Sequence, residues 1–556
     1  MQEDLKGLYA AIVLSALVVL GVNYFFPKPV KQAPVAAEVV VTPEATAQNT
    51  ADESAATEEA PLSAAEVMAQ DVRLPLENDV LSGSVRLKGA RFDNLMLSKY
   101  RETIEPESPN VSLLTPAKTN NAYFAEYGWL SADPTVKLPN SETVWTVEGN
   151  NELTPTTPVT LVWNNGQGLR FINKISLDEH YLFNIEQSVE NNSGKAVTLV
   201  PYGLFSKTID EDAQKRSVVH EGFVGVLNGK LKEIRYNNMK EQSQEFESNG
   251  GWISFGDKYW FGSFIFDDDK ALKINLRKIK DNQFQLDYKA TPQQIQNGET
   301  FKTDTKFYAG AKEIKLLDKY AESIKKFDLN IDFGWYYFLT KPFFYILDFF
   351  YGLLGNMGWA ILLFAAILRL SMFPLAHKSY DNMSKMKKIQ PKITALQAIY
   401  KDDKMALQRA TMELYKKEKV NPAAGCLPMF IQIPIFFSLF KVLNIAIEIR
   451  HAPFIGWVKD LSAPDPLTIS VWSHLYIPSA IDIGVWPLIY GLTMFIQNKL
   501  NPKPANKDQA RMFALMPVLF TIMFAHFAVG LVIYWTLNNI LSLIQQKIIM
   551  NKNGVK

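Results

Sequence analysis

A chain of 556 residues with a formal net charge of +1 and a mean hydropathy near zero is too long for one domain, and the average hides a polar first part and an apolar last third. Its one cysteine, Cys426, excludes an intramolecular disulfide and a Cys-based metal cluster, and its six histidines lack metal-ligand spacing. There is no Gly-rich phosphate loop ending in Gly-Lys-Ser/Thr and no nucleophile elbow, so no enzyme, nucleotide coupling, cofactor or metal is expected.

Residues 8–26 form a first hydrophobic span. Tyr24, Phe25, Phe26 and Pro27 follow it where a cleavage site would need small residues, so 1–26 reads as an uncleaved signal anchor. Residues 27–70 are rich in Pro, Ala, Glu and Thr and read as a disordered linker. Period-2 alternation then recurs at 159–163, 169–172, 181–189, 252–255, 259–266, 283–288 and 300–308, with turn signals at 164–168 and 191–194. Residues 71–320 are therefore expected to form a large antiparallel β-sandwich. His180 and His220 are expected to be surface histidines of a scaffold, because no acid/base motif accompanies them.

Helical periodicity returns at 314–327. The aromatic stretch within 321–354 suits an amphipathic helix in the membrane interface, with Lys341 and Pro342 arguing against a second span there. A second span at 355–377 carries Arg369 inside an apolar run. A cation at that depth costs about 3 kcal/mol or more. Two readings stand: Arg369 faces a wet, protein-lined cavity, or it snorkels to the nearer interface. Residues 378–420 read as a basic helical hairpin. Met383, Met386, Ile389, Ile393 and Leu396 are expected to face Leu407, Met412 and Leu414. The stretch 376–420 carries 11 Lys/Arg against 5 acids, which assigns it to the cytoplasm. The excess serves topology and lipid attraction alone, or also contacts RNA, ribosome or nascent chain.

A third span at 421–447 contains Gly425, Pro428, Gln432 and Pro434 and is expected to be kinked; Cys426, in its apolar run, is expected to be a buried, inert thiol. The cation-poor loop 448–482 is expected outside, a fourth span at 483–498, and a basic cytoplasmic loop at 499–511. Residues 512–549 hold spans five and six around an outer turn at 526–530, and 550–556 is a short cytoplasmic tail. The fold class expected is a polytopic α-helical membrane protein of six spans, both termini cytoplasmic, with one large extracytoplasmic all-β sandwich domain. No internal repeat supports a secondary transporter.

The last third resembles the YidC/Oxa/Alb family of membrane protein insertases in its Gram-negative form. The likeness rests on Arg369 with Met372, Phe373 and Pro374, then 386–393 (MKKIQPKI), 415–422 (YKKEKVNP), 425–428 (GCLP) and 431–436 (IQIPIF). It continues through 452–454 (APF), 460–462 (DLS), 515–517 (LMP) and 530–535 (GLVIYW). The resemblance implies a five-helix core around a hydrophilic groove open to cytoplasm and lipid. Arg369, Gln432 and Trp535 match its groove residues. The hairpin, with Lys385, Lys387, Lys388 and Lys392, matches the loop that receives substrate. The implied protein inserts and helps fold nascent inner-membrane proteins, alone or with the Sec translocon and its accessory subunits. The ribosome and the phospholipid bilayer are further implied partners. The implied location is the bacterial inner membrane with the β domain in the periplasm. The alternative is an anion-binding transporter using Arg369. The turn at 527–530 reads FAVG where many relatives carry FPSG, and the tail lacks the long basic extension of some relatives.

Overall fold

The computed structural model describes residues 62–209, 219–239, 241–280, 282–400, 403–421, 427–478, 481–501 and 507–554. The anchor at 1–26, most of the linker and Cys426 lie outside the described residues. The linker's last residues are ordered, contrary to the expectation for 27–70. Helix α1 (Ala64–Met68) is closed by a capping box in which Ser63 and Glu66 satisfy each other's backbone N–H groups.

Seventeen strands among the described residues pair almost entirely antiparallel. Alternation builds the core directly: in Leu169–Leu177 the positions Leu169, Phe171, Ile175 and Leu177 are buried while their neighbours face outward. Phe92, Phe183, Phe205, Phe264 and Phe307 meet in the centre, with Phe205 stacked on Phe264 at 4.1 Å. Such ring pairs each add about 0.5–1.5 kcal/mol beyond their area. The longest strand, Trp260–Lys280, follows Gln244–Gly256 along one edge. Its other edge pairs first with Thr300–Ala311 and then with Gln283–Ala290. A bulge between Asn249 and Gly251 bends the pair, and Gly251 has φ +93°, a conformation in which a side chain would run into the Val226 carbonyl.

His220 is a correction to the sequence reading. It is buried, its Nε2 lies 3.1 Å from the Phe223 carbonyl oxygen, and its backbone N–H donates to Asp332. Burial pushes its pKa down to about 4, so it is a neutral structural residue rather than a surface one. His180 is half-buried, and its carbonyl accepts a hydrogen bond from Asn78.

The helical region begins with α2 (Ile314–Ala321) and continues through α3 (Tyr337–Leu354) and α4 (Met357–Ser371). Gly355, at φ +66°, ends α3, and Asn356 caps α4 by accepting the Trp359 N–H. Helix α5 (Phe373–Ile399) follows after a 65° bend at Met372. Pro374, in the first turn of α5, has no N–H to continue the ladder of α4. The chain therefore turns inside the segment 355–377 that reads as one span. Next come α6 (Lys404–Lys417), α7 (Leu427–Ile445), α8 (Ile469–Ser473), α9 (Val485–Leu500), α10 (Lys507–Phe524) and α11 (Val529–Lys552). Among the described residues no single helix is long and apolar enough to cross a membrane, but α4 and α5 together, as a bent pair, meet that criterion. Helix α11 packs against α4, α5, α7 and α9.

The hairpin arms α5 and α6 meet through Ile389, Ile393 and Val420, with Met386, Leu414 and Tyr415 at the edge. Met383 instead packs with Ala376 and Tyr380 on Ile549 of α11, and Met412 is exposed, so neither pairs the arms as expected. The first three turns of α5, as far as Met383, belong to the helical core, and only its far half reaches α6.

The segment 314–333 lies between the sandwich and the helices: Tyr320 of α2 donates to Asp178 of the sandwich, and Asp332 accepts the His220 backbone N–H. Lys441 of α7 pairs with Asp332 at 2.5 Å, and Lys341 of α3 pairs with Asp318 and Asp328 at 2.7 and 3.0 Å. Glu448, just beyond α7, accepts the Ile314 N–H at the start of α2 through Oε1, while its Oε2 is enclosed without a partner. Burial, with help from nearby Glu313 and Asp348, pushes the Glu448 carboxyl up to about 7.

Candidate functional site

Arg369 lies in the last turn of α4, directly before the bend. Its Nη2 donates to the Tyr380 hydroxyl at 2.8 Å, and its guanidinium carbon sits 6.0 Å from that ring's centre. Tyr380 is held in place by Ala376 and Ile549. The arginine is half-buried, and its Nε is enclosed without an acceptor. Arg369 therefore presents a charge at a seam between helices, with Nη2 engaged by Tyr380 and Nε without an acceptor.

Gln432 projects from α7 toward α11, where its Nε2 donates to the Tyr534 hydroxyl at 3.2 Å. Tyr534 is fully buried. Adjacent positions on a helix are about 100° apart, so Trp535 points elsewhere. It joins an aromatic wall, edge-on to Phe436 at 5.0 Å, with Phe524 at 5.7 Å and Tyr490 at 6.1 Å. Its Nε1 is enclosed and unpartnered, as is the Ser438 hydroxyl of α7. Toward its C-terminal end α11 carries a buried polar face: Asn538, Asn539, Ser542, Gln545 and Gln546. Asn539 reaches Thr493 of α9 at 3.4 Å, and Gln545 reaches the Phe373 carbonyl at 3.4 Å. Buried amides in an apolar bundle are costly unless they find partners, so this row is where polar groups can be exchanged.

The candidate residues thus fall into three places. Arg369 belongs to the α4–α5 seam, Gln432 to the α7–α11 seam, and Trp535 to the aromatic wall beside it. The four lysines lie on α5. Lys385 pairs with Asp381 at 2.9 Å and Lys392 with Glu418 at 2.5 Å; Lys388 is exposed and Lys387 half-buried. Exposed pairs of this kind contribute about 1 kcal/mol or less, so an incoming acidic segment can compete for them. Sequence reasoning missed Tyr380 and Tyr534, the hydroxyls that receive Arg369 and Gln432. Tyr534 sits within the quoted 530–535 motif, but nothing in a linear pattern pairs it with a residue 102 positions away.

In the sandwich, a cleft of about 560 Å³ opens between 247–249, 271–273 and 289–292, lined by Glu247, Asn249, Lys273 and Lys289 among others. Among the described residues no group of three or more His, Cys, Asp or Glu side chains is placed to hold a metal ion.

Two family models match the chain: YidC periplasmic domain over residues 73–346, and 60Kd inner membrane protein over residues 349–555. A membrane protein insertase YidC of Rickettsia bellii (strain OSU 85-389) is 43% identical over 560 residues, covering 98% of this chain and 99% of that protein. Its counterpart from Sinorhizobium medicae (strain WSM419) is 44% identical over 501 residues, covering 88% and 84%. Among solved structures, an active YidC insertase crystal structure with the first transmembrane domain resolved is 20% identical with a TM-score of 0.36, covering 85% of this chain and 91% of that one. The matched regions make this an inner-membrane protein with a periplasmic domain. With near-full-length relatives above 40% identity, the chain belongs to the YidC family of membrane protein insertases.

Proposed function

We propose that this protein inserts nascent inner-membrane proteins, and helps fold them, through a polar groove bounded by α4, α5, α7 and α11. The observation that carries the reading is the presence of Arg369 with Tyr380, Gln432 with Tyr534 and the buried amides of α11 at the seams of a largely apolar bundle. A short polar flank of the client enters the groove while its hydrophobic segment slides along the lipid-facing side. A wet cavity part-way across shortens the dry path, so fewer polar groups are desolvated at once. Arg369 attracts acidic flanking residues. The membrane potential adds about 2.3 kcal/mol per charge per 100 mV toward export of negative flanks. Burial of the segment in lipid, at about 25 cal/mol per Å², drives the last step without nucleotide hydrolysis.

In this reading six spans cross the membrane, the first being 8–26, both termini are cytoplasmic, and the hairpin bearing Lys385, Lys387, Lys388 and Lys392 receives the client. Nascent chains are the clients, and the Sec translocon and the ribosome are working partners. The test is a photo-crosslinker at Gln432 or Trp535 during translation of a small single-span protein with membranes. Adducts to the nascent chain are expected at both positions, and their absence refutes the groove.

A further inference from the structure

We infer that Tyr380 is a positioning residue that reports the occupancy of Arg369 to the basic hairpin. The inference rests on the reading of Arg369 as the charge that meets acidic client residues. Arg369 ends α4 and Tyr380 lies in the second turn of α5, so their 2.8 Å hydrogen bond spans the 65° bend between the two helices. The tyrosine side of this tie is firmly seated. Its ring packs on Ala376 and Ile549, its carbonyl accepts the Ser384 hydroxyl at 2.9 Å, and Asp381 beside it accepts from Asn553, the residue after α11, at 2.8 Å. The arginine side has a spare donor, because Nε is enclosed and without an acceptor.

Nε and Nη2 form one edge of the guanidinium, the edge that takes a carboxylate side-on through two parallel bonds. Nη2 is the nitrogen Tyr380 occupies. A client carboxylate binding this edge satisfies Nε and takes Nη2 from Tyr380 in the same step. A carboxylate brings a full opposite charge and takes both nitrogens of this edge in parallel, whereas the neutral hydroxyl takes one, so the exchange runs toward the client. The α4–α5 bend then loses its side-chain tie, and only the α11 contacts at Ile549 and Asn553 are left to set the hairpin's angle to the core. A neutral flank has no group that displaces Tyr380, so the hairpin stays where it is. The bond thus makes the hairpin responsive to client charge.

The experiment uses the full-length protein in proteoliposomes. Cys426 is replaced by Ser, and spin labels are placed at Ala398 of α5 and Asn551 of α11. The probes are two single-span peptides that differ only in an Asp-Asp or Asn-Asn flank. In the otherwise native protein the Asp-Asp peptide is expected to broaden and lengthen the label distance, and the Asn-Asn peptide to leave it unchanged. Tyr380→Phe keeps the ring and removes the hydroxyl. It is expected to show the broadened distribution without peptide, and to lower the ratio of acidic-flank to neutral-flank insertion roughly fivefold, the factor one net hydrogen bond commonly carries. Tyr380→Gln, which restores an acceptor, is expected to recover part of that ratio. A peptide response in Tyr380→Phe equal to the native one overturns the inference. So does an equal loss of both substrates, which is what a merely structural tyrosine gives. Cross-linking from Gln432, measured in parallel, separates the two levels: adducts that persist while charge discrimination is unaltered refute the Tyr380 inference and leave the groove intact.

Discussion

Replacing Glu448 with glutamine keeps the acceptor for the Ile314 N–H and removes a carboxyl whose second oxygen has no partner. Burial holds the native carboxyl at about 7, against an ordinary value of 4.5. Between these two values the folded protein binds more protons at this site than the unfolded chain. Stability from this group is therefore fully present below pH 4.5 and is lost as pH rises through 7. At 1.36 kcal/mol per pKa unit, the loss approaches about 3 kcal/mol by pH 8. For a domain of this size each kcal/mol moves the melting temperature by about 2–4 °C. Melting of the protein in detergent, followed by tryptophan fluorescence from pH 4 to pH 8, is expected to show Glu448→Gln level with the native protein at pH 4 and several degrees more stable at pH 8. Parallel curves for the two proteins across that range would refute the assignment of Glu448 as a protonated junction group.

Three further outcomes are expected. Arg369→Glu lowers insertion of a substrate with an acidic flank, measured in proteoliposomes, and spares one with a neutral flank; unchanged insertion returns Arg369 to a snorkelling role. Gly358→Ala drives a methyl group of α4 into the Phe454 ring, so the melting temperature falls by the equivalent of about 1–3 kcal/mol. Tyr534→Phe leaves Gln432 without its acceptor and costs about 1 kcal/mol in denaturant titration, whereas Gln432→Leu combined with Tyr534→Phe costs less than the sum of the two single changes.

The sandwich was legible because its chemistry is local. Leu169, Phe171, Ile175 and Leu177 alternate with solvent-facing neighbours, and the Asn- and Gly-rich turns mark where strands reverse. The charge of Arg369 and the amide of Gln432 were equally visible, since each interrupts an apolar run. What a linear pattern lacks is partners. Nothing in the run of residues says that Tyr380 completes Arg369 or that Tyr534, rather than its neighbour Trp535, meets Gln432. Those pairings depend on the 65° bend and on the rotation of α11 against α7. His220 was misjudged for the same reason: its surroundings include Asp332, 112 positions later, which accepts its backbone N–H. The division of α5 into a core half and a hairpin half likewise follows from contact with Ile549, which periodicity within α5 does not encode.

The strand Trp260–Lys280 also fixes the order in which the sandwich is made. Half of one edge awaits Thr300–Ala311, which in turn completes Leu182–Asn191, so the early strands have no closing partner until the last strand exists. Pairings of such long sequence separation fold slowly. A chain emerging N-terminus first therefore carries the open edges of Leu182–Asn191 and of the first part of Trp260–Lys280 until Ala311 arrives, three residues before α2 begins. Completion of the domain and delivery of the first helix that leads to the membrane core thus become a single event in the protein's own biogenesis.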